Sequence, residues 1–201
     1  RLRGSATGLD IELAATIDAD VAGGIAALLA AEELAGPDGD ASVRITVSRG
    51  SSAGRGLLPP DRPRPTIVIQ AWPVLPPPAD HLERGLHLIV SDVRRDPSNP
   101  LVGLKTTSRA EYVYARLEAR RAGGDDALFL TTDGHLTEAT SANIFLIRAM
   151  GIATPALTVA ILARNSRSLY LSCAERRVSH PVEDRPLSDD AARADCAVAS
   201  R

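Results

Sequence analysis

The sequence has few cysteines and no long apolar run, and each shortage excludes a class of protein. Its 201 residues include two cysteines, Cys173 and Cys196, which form neither a CxxC pair nor a disulfide framework. Isolated thiols are typical of reducing compartments, so we expect a cytoplasmic protein. No apolar stretch approaches the roughly 20 residues of a membrane-spanning helix, and no charged-then-apolar leader opens the chain. A membrane protein is therefore not expected.

An excess of charge of either sign is also lacking. The chain has 23 Lys and Arg residues against 25 Asp and Glu residues, a formal net charge of −2. Nucleic-acid-binding domains usually show a basic surplus, so we expect no nucleic-acid partner. The four histidines are not spaced as the ligands of a metal site usually are, so we expect no bound metal. The hydrophobic share of 44% is enough for a packed core.

The apolar pattern predicts an α+β fold with helices at the edges of a strand-rich body. One amphipathic helix is predicted over residues 11–35, followed by strands in "SVRITVSRG", "PTIVIQAW" and "GLHLIVSDV". The proline-rich "PVLPPPADHLER" between the last two strands is predicted to be a loop. A second helix is predicted from Ser108 to the Gly123-Gly124 pair, with apolar positions at Ala110, Val113 and Leu117. "ALFLT" and "NIFLI" predict strands on either side of a turn in "TDGHLTEATSA", and the final "ADCAVAS" predicts another strand. Trp72 is expected in the core.

Lys105 is the first candidate for chemistry. It stands between apolar "LVGL" and hydroxyl-rich "TTS", at the predicted end of a strand and just before a helix. An amine held by apolar walls is disfavoured as the cation, so it can act as a nucleophile or a base. The alternative is an ordinary surface lysine, which is the commoner case for a strand end.

Two further segments carry polar groups of complementary kinds. Glu138 lies in "LTEATSANIF", and a carboxylate can hold the proton of a pyridine nitrogen, as a pyridoxal phosphate (PLP) cofactor requires. "ARNSR" at residues 163–167 opens a predicted helix, where Asn165 and Ser166 can face a phosphate. Each signal is weak when taken alone. A glutamate at the end of a strand, for example, is usually a solvated loop residue.

Taken in order, these segments resemble the class IV aminotransferases, which are PLP enzymes of fold type IV. The resemblance is carried by "GLKTTSRAEYVYARLEARRAGGDDALFLTTDGHLTEATSANIF", then by "ATPALTVAIL" and "SR", and it extends over essentially the whole chain. It implies two α+β subdomains with the cofactor cleft between them. On this basis we expect a partial small N-terminal domain at residues 1–95 and a larger cofactor-binding domain at 96–201, with the N-terminal strands and the C-terminal end missing.

The resemblance also implies roles for individual residues. Lys105 would bind PLP covalently and move the proton of the substrate Cα. Glu138 would pair with the pyridinium nitrogen, and Asn165 and Ser166 would bind the phosphate. "RLRGSA" is similar to a family helix whose arginine reaches the phosphate, which indicates Arg1. Glycine is usual in the phosphate turn where this chain has Arg164. The larger side chain would either crowd the phosphate or partly compensate through its positive charge.

Two arginines are candidates for substrate binding, and each has an alternative interpretation. Arg44 in "VRITVSRG" and Arg55 in "GRG" match segments that supply carboxylate contacts in relatives, and a guanidinium suits a carboxylate. The alternative is that Arg44 is a strand-face charge and Arg55 a solvated loop residue. The implied partner is a small amino or keto acid, and the implied assembly is a homodimer.

The family contains amino-acid and amine transaminases and also 4-amino-4-deoxychorismate lyase, which releases pyruvate and 4-aminobenzoate in folate biosynthesis. Branched-chain transaminases usually carry Asn-Tyr at the positions of Arg109 and Ala110. Arginine followed by a glutamate, here Glu111, is similar to the lyase, as is the "GRGLL" loop. These matches favour the lyase over a transaminase that uses a 2-oxo acid acceptor. An inactive or incomplete binding or dimerisation module is the remaining alternative.

Overall fold

The computed structural model describes residues 1–36, 40–51, 57–58, 63–148, 151–156, 182–184 and 196–200. The chain forms two compact units, one comprising Leu2–Leu82 and the other Glu83–Arg201 together with Arg1. None of the helices in these described ranges is both long and apolar enough to cross a bilayer.

The first unit contains two helices and a two-stranded antiparallel sheet. Its elements are α1 (Leu2–Thr7), α2 (Ile17–Ala31), β1 (Ala41–Ser48) and β2 (Thr66–Pro73). The register runs from Ala41 opposite Pro73 to Ser48 opposite Thr66. Both strands were predicted by their alternating apolar pattern, and the structure confirms them. A third helix, α3 (Ala79–Arg84), lies in a segment that had been expected to be a loop.

The predicted helix over residues 11–35 begins too early. Asp10 has φ 52°, a left-handed conformation that cannot continue a helix, and the chain turns there with Ile11 N donating to Ala6 O at 2.8 Å. Helix α2 therefore begins only at Ile17, and it ends before Glu33, which has φ 56°. Periodicity identified the helix, but the turns at both of its ends depend on backbone conformations that periodicity does not show.

Gly50 supports a prediction about the first unit. It follows β1 with φ +89°, and an added Cβ would lie 1.9 Å from the carbonyl oxygen of Arg64. We expect Gly50→Ala to lower the free energy of unfolding by more than about 1 kcal/mol. The matched control is Gly23→Ala, because Gly23 is helical and nothing lies within 4 Å of its added Cβ; it should raise stability by about 0.5–1 kcal/mol. Urea unfolding measures both, and equal midpoints for Gly50→Ala and wild type would contradict the expectation.

The second unit contains the remaining elements, arranged in two sheets. They are β3 (Leu88–Arg95), α4 (Ala110–Arg121), β4 (Asp126–Thr131), β5 (Leu136–Ala139), β6 (Asn143–Arg148), β7 (Gly151–Thr154), β8 (Val182–Asp184) and β9 (Cys196–Ser200). One sheet has the order β3-β4-β5 and the other has the order β8-β7-β6-β9. Strands β3 and β4 are parallel and are connected through α4, whereas β4 and β5 are antiparallel.

Strand β4 is the centre of the second unit because all six of its residues are buried. Ala127 and Phe129 pack with Ala115 and Ala119 of α4. The alternate residues of β4 join a larger apolar cluster that includes side chains from β5, β6 and β7, namely Leu128, Leu130, Leu136, Ala139, Ala142, Ile144, Leu146 and Ala153. Burial on both faces explains why "ALFLT" is a continuous apolar run.

Three local expectations are corrected by the structure. The segment "TDGHLTEATSA", predicted as a turn, contains strand β5. Helix α4 turns Ala115 and Ala119 inward and leaves Val113 58% and Leu117 41% exposed, so its predicted apolar face is the outer one. Trp72 is 42% exposed instead of lying in the core. Small side chains allow α4 to approach the sheet closely, and this outweighs the hydrophobicity of its larger residues.

Candidate active site

Glu138 is the third residue of β5, and its side chain is completely buried. A buried carboxylate is costly unless hydrogen bonds or an opposite charge compensate it. The phenol of Tyr112, on α4, donates a hydrogen bond of 2.9 Å to Glu138 Oε1. The guanidinium of Arg95, at the end of β3, places Nη2 3.9 Å from the same oxygen. Strand β5 therefore presents its carboxylate to groups from helix α4 and from the end of strand β3.

Arg95 is itself buried, with 5% of its side chain exposed. Its Nη1 donates to Glu111 Oε2 at 2.8 Å, so the guanidinium lies between the carboxylates of Glu111 and Glu138. Among the residues that the structure describes, Arg95 Nε has no hydrogen-bond partner. The buried cation thus offsets the charge of Glu138 without forming a direct hydrogen bond to it.

Aromatic rings enclose this group of charges. Arg95 lies over the rings of Tyr112 and Phe129, at 5.1 Å and 5.6 Å from their centres. Arg109 lies 3.9 Å from the centre of the Tyr112 ring, and Phe129 contacts that ring edge-on at 5.3 Å. Such cation–π contacts contribute about 0.5–2 kcal/mol each, and more when they are desolvated. We call Arg95, Arg109, Glu111, Tyr112 and Glu138 the Glu138 cluster.

The protonation of Tyr112 follows from its surroundings. Burial raises the pKa of the Tyr112 phenol above its usual value, and the charge of Glu138 raises it further. The phenol therefore keeps its proton at neutral pH and acts as the donor to the carboxylate.

The turn after β5 is fixed by a second set of polar contacts. Arg109 Nη2 donates to Thr140 O at 2.9 Å, and Thr140 N donates to Ala127 O at 3.1 Å. The Thr140 hydroxyl donates to Asp126, which also forms an ion pair with Arg116 at 2.8 Å. Because Thr140 is two residues after Glu138, these contacts hold the backbone from which the carboxylate projects.

Lys105 lies in the irregular segment between β3 and α4, and it is exposed. Its predicted place at a strand end is wrong, because β3 ends at Arg95 and a series of turns follows. Asp96 Oδ1 accepts from Ser98 N at 2.8 Å, and Leu104 N donates to Leu101 O at 3.0 Å. The sequence had suggested that apolar side chains enclose Lys105, but in this structure the residue is exposed. Its catalytic role stays a prediction.

The other predicted site residues divide into two groups. Arg1 is exposed and belongs to the same compact unit as Glu138. Arg44 is exposed on β1, with its guanidinium 5.2 Å from the centre of the Trp72 ring, which gives it a structural partner. Arg55, Asn165 and Ser166 lie outside the described residues, so their assignments stay predictions.

Sequence reasoning missed Arg95 and Tyr112 as neighbours of Glu138. It had noted Arg109 and Glu111 only for their likeness to the lyase. One signal was available, because Tyr112, Ala115 and Ala119 recur at helical spacing and form the inner face of α4. Nothing in the local sequence of β3 indicates that Arg95 is buried, since that depends on its pairing with β4.

A comparison with solved structures defines the class of fold. The structure of Escherichia coli branched-chain amino acid aminotransferase matches 99% of this chain and 64% of that chain, with a TM-score of 0.89 and 22% identity. At this identity the likeness shows the fold alone, which is the α+β fold of the type IV PLP enzymes. The fold predicted from the sequence is confirmed.

The family model described as amino-transferase class IV matches residues 1–199. The chain therefore belongs to the class IV aminotransferase family, and that family is PLP-dependent.

Relatives with two different activities resemble the chain. Aminodeoxychorismate lyase of Vibrio harveyi is 33% identical over 156 residues, which are 76% of this chain and 56% of the lyase. Branched-chain amino acid aminotransferase 2 of Humulus lupulus, a chloroplastic protein, is 32% identical over 183 residues, which are 87% of this chain and 43% of the aminotransferase. The chain thus spans about half the length of these relatives.

Proposed function

We propose that the chain is a PLP-dependent enzyme that acts on the amino group of a small amino-acid-like substrate. The observation that carries this proposal is the completely buried carboxylate of Glu138, which accepts a hydrogen bond from Tyr112 and lies 3.9 Å from Arg95. A carboxylate in such surroundings suits the protonated nitrogen of a pyridine ring. Family membership supports the same cofactor.

The described residues fit one part of the cofactor particularly well. PLP supplies an electron sink that stabilises negative charge at the substrate Cα. Glu138 would accept the pyridine N–H, and Lys105 would hold the cofactor covalently and move the Cα proton. Because Glu138 has no exposed surface in this structure, a ring nitrogen can reach it only after a covering group moves aside. In this proposal Arg1, Asn165 and Ser166 bind the phosphate, and Arg44 and Arg55 bind the substrate carboxylate.

The composition of the chain adds support for Lys105. It is the only lysine in the sequence, so the other 22 of the 23 basic residues are arginine. An ordinary surface cation can be either residue, but only the amine of a lysine can become a neutral nucleophile. A single lysine at the position that resembles the family's lysine segment supports a chemical role for Lys105.

Within the family we favour 4-amino-4-deoxychorismate lyase activity. Arg109 and Glu111, whose positions resemble those of the lyase, both belong to the Glu138 cluster through contacts with Tyr112 and Arg95. A transaminase is the second candidate, since the Humulus lupulus aminotransferase matches the larger share of this chain. A cytoplasmic homodimer, with the cofactor between domains at residues 1–95 and 96–201, completes the proposal.

Product analysis distinguishes the two reactions. With 4-amino-4-deoxychorismate as substrate, we expect pyruvate and 4-aminobenzoate in equal amounts, and no requirement for a 2-oxo acid. In parallel, amino acids are offered with 2-oxoglutarate or pyruvate as acceptors. Lys105→Arg is the inactive control in both assays, because it keeps the positive charge but lacks the reactive amine. Transfer of an amino group, without cleavage of 4-amino-4-deoxychorismate, would show that the transaminase assignment is correct and the lyase assignment is wrong.

Absorbance distinguishes either enzyme from a binding or dimerisation module. After incubation with PLP and removal of free cofactor, the enzyme should retain a visible absorption band that borohydride bleaches. A colourless protein would favour the module.

A further inference from the structure

Tyr112 occupies a position from which it can control the carboxylate of Glu138. We propose that Tyr112 is a positioning residue whose hydroxyl orients Glu138 toward the pyridine nitrogen of PLP and sets how strongly that nitrogen is held. The inference rests on the proposed function. It adds a residue from helix α4 that does not itself touch the cofactor in the proposed arrangement.

The ring of Tyr112 is fixed by three neighbours, which gives its hydroxyl a defined place. Phe129 contacts the ring edge-on at 5.3 Å, while the guanidinium groups of Arg109 and Arg95 lie 3.9 Å and 5.1 Å from its centre. Arg109 is held in turn by its hydrogen bond to Thr140 O. The hydroxyl therefore reaches Glu138 Oε1 from a ring that has little freedom to turn.

The Tyr112 hydroxyl also keeps the Glu138 carboxylate from turning toward Arg95. Arg95 Nη2 is 3.9 Å from Glu138 Oε1, beyond hydrogen-bonding distance, and Nη1 is engaged with Glu111. If the Tyr112 hydroxyl is removed, Oε1 loses the hydrogen bond that Tyr112 donates, and the carboxylate can turn toward Arg95 to form a direct ion pair. The carboxylate would then be aimed at the guanidinium and no longer at the ring nitrogen.

Binding of PLP measures this effect with a matched control. Tyr112→Phe removes only the hydroxyl and keeps the ring, whereas Tyr114→Phe makes the same change at a residue of α4 that is 51% exposed. We expect Tyr112→Phe to weaken PLP binding about tenfold, which corresponds to about 1.4 kcal/mol. Tyr114→Phe should bind like the wild type. Equal dissociation constants for Tyr112→Phe and wild type would overturn the inference.

A double-mutant cycle tests whether Tyr112 acts through Glu138. Glu138→Gln keeps the shape of the side chain but replaces the carboxylate that pairs with a protonated ring nitrogen. In that background, adding Tyr112→Phe should change PLP affinity less than about twofold. If the two substitutions instead have independent effects that add, Tyr112 acts elsewhere and the inference is wrong.

A spectroscopic signature separates positioning from simple structural support. In protein loaded with PLP labelled with nitrogen-15 in the ring, Tyr112→Phe should move the ring nitrogen resonance toward that of neutral pyridine, because a carboxylate that has turned toward Arg95 no longer stabilises the proton on the ring nitrogen. Fluorotyrosine at position 112, a stronger donor, should move it the other way, and it serves if Tyr112→Phe does not fold. A lower melting temperature with an unchanged resonance would contradict the inference.

The wild-type arm distinguishes the inference from the function on which it rests. If wild-type protein binds no PLP, both are overturned. If it binds PLP and the Tyr112 variants match it in affinity and resonance, the inference alone is overturned.

Discussion

Lys105→Ala should abolish both the covalent retention of PLP and turnover. Since Lys105 is the only lysine in the chain, no other side-chain amine can replace it. Wild-type protein that has been reduced with borohydride in the presence of PLP should carry one pyridoxyl group, on Lys105. Because Lys105→Ala lacks the amine that forms the covalent bond to PLP, we expect its activity to fall to background.

The single lysine also provides a direct assay. A protease specific for lysine has one cleavage site in this chain, after Lys105. Reductive attachment of PLP should block that site, so the treated wild-type chain stays intact while the untreated chain gives two fragments. Lys105→Arg is the control for charge, and it should be neither cleaved nor labelled. Cleavage of the reduced wild type at Lys105, together with label elsewhere, would contradict the assignment.

The second large effect is expected at Arg95. Arg95→Met keeps an apolar stem of similar length but leaves Glu138 completely buried without the nearby cation. Removing one partner of a buried ionic pair typically costs about 3–5 kcal/mol, because the remaining charge is uncompensated. We therefore expect the free energy of unfolding in urea to fall by about that amount.

Two controls isolate the cause of this loss. Arg94→Met changes the adjacent, exposed arginine, and it should alter stability by less than about 1 kcal/mol. Adding Glu138→Gln to Arg95→Met removes the charge that Arg95 no longer offsets and should restore part of the loss. If Arg95→Met were as stable as the wild type, the guanidinium would not be what compensates Glu138.

The sequence predicted the fold type and the two residues at the centre of the proposed site, but it did not predict their surroundings. Lys105 and Glu138 stand in motifs that resemble a family, so a single chain was enough to single them out. Arg95 and Tyr112 join Glu138 only because β3 and β4 are parallel and α4 packs across them. That proximity depends on tertiary structure, and no local pattern carries it.

The local errors have a shared physical cause. Residue hydrophobicity favoured Val113 and Leu117 as the inner face of α4, whereas the small residues Ala115 and Ala119 allow the helix to approach Phe129. Similarly, Trp72 was expected in the core but lies partly exposed beneath the guanidinium of Arg44. In both cases the fit between neighbouring elements outweighed the preference of the individual side chain.

In a crystal structure of the protein with PLP, the distance between the Glu138 carboxylate and the pyridine nitrogen shows whether Glu138 holds the ring. We expect a charge-assisted hydrogen bond of about 2.7–2.9 Å, with Lys105 Nζ covalently bonded to the same cofactor molecule. A cofactor bound with its nitrogen away from Glu138, or attached without Lys105, would contradict this expectation.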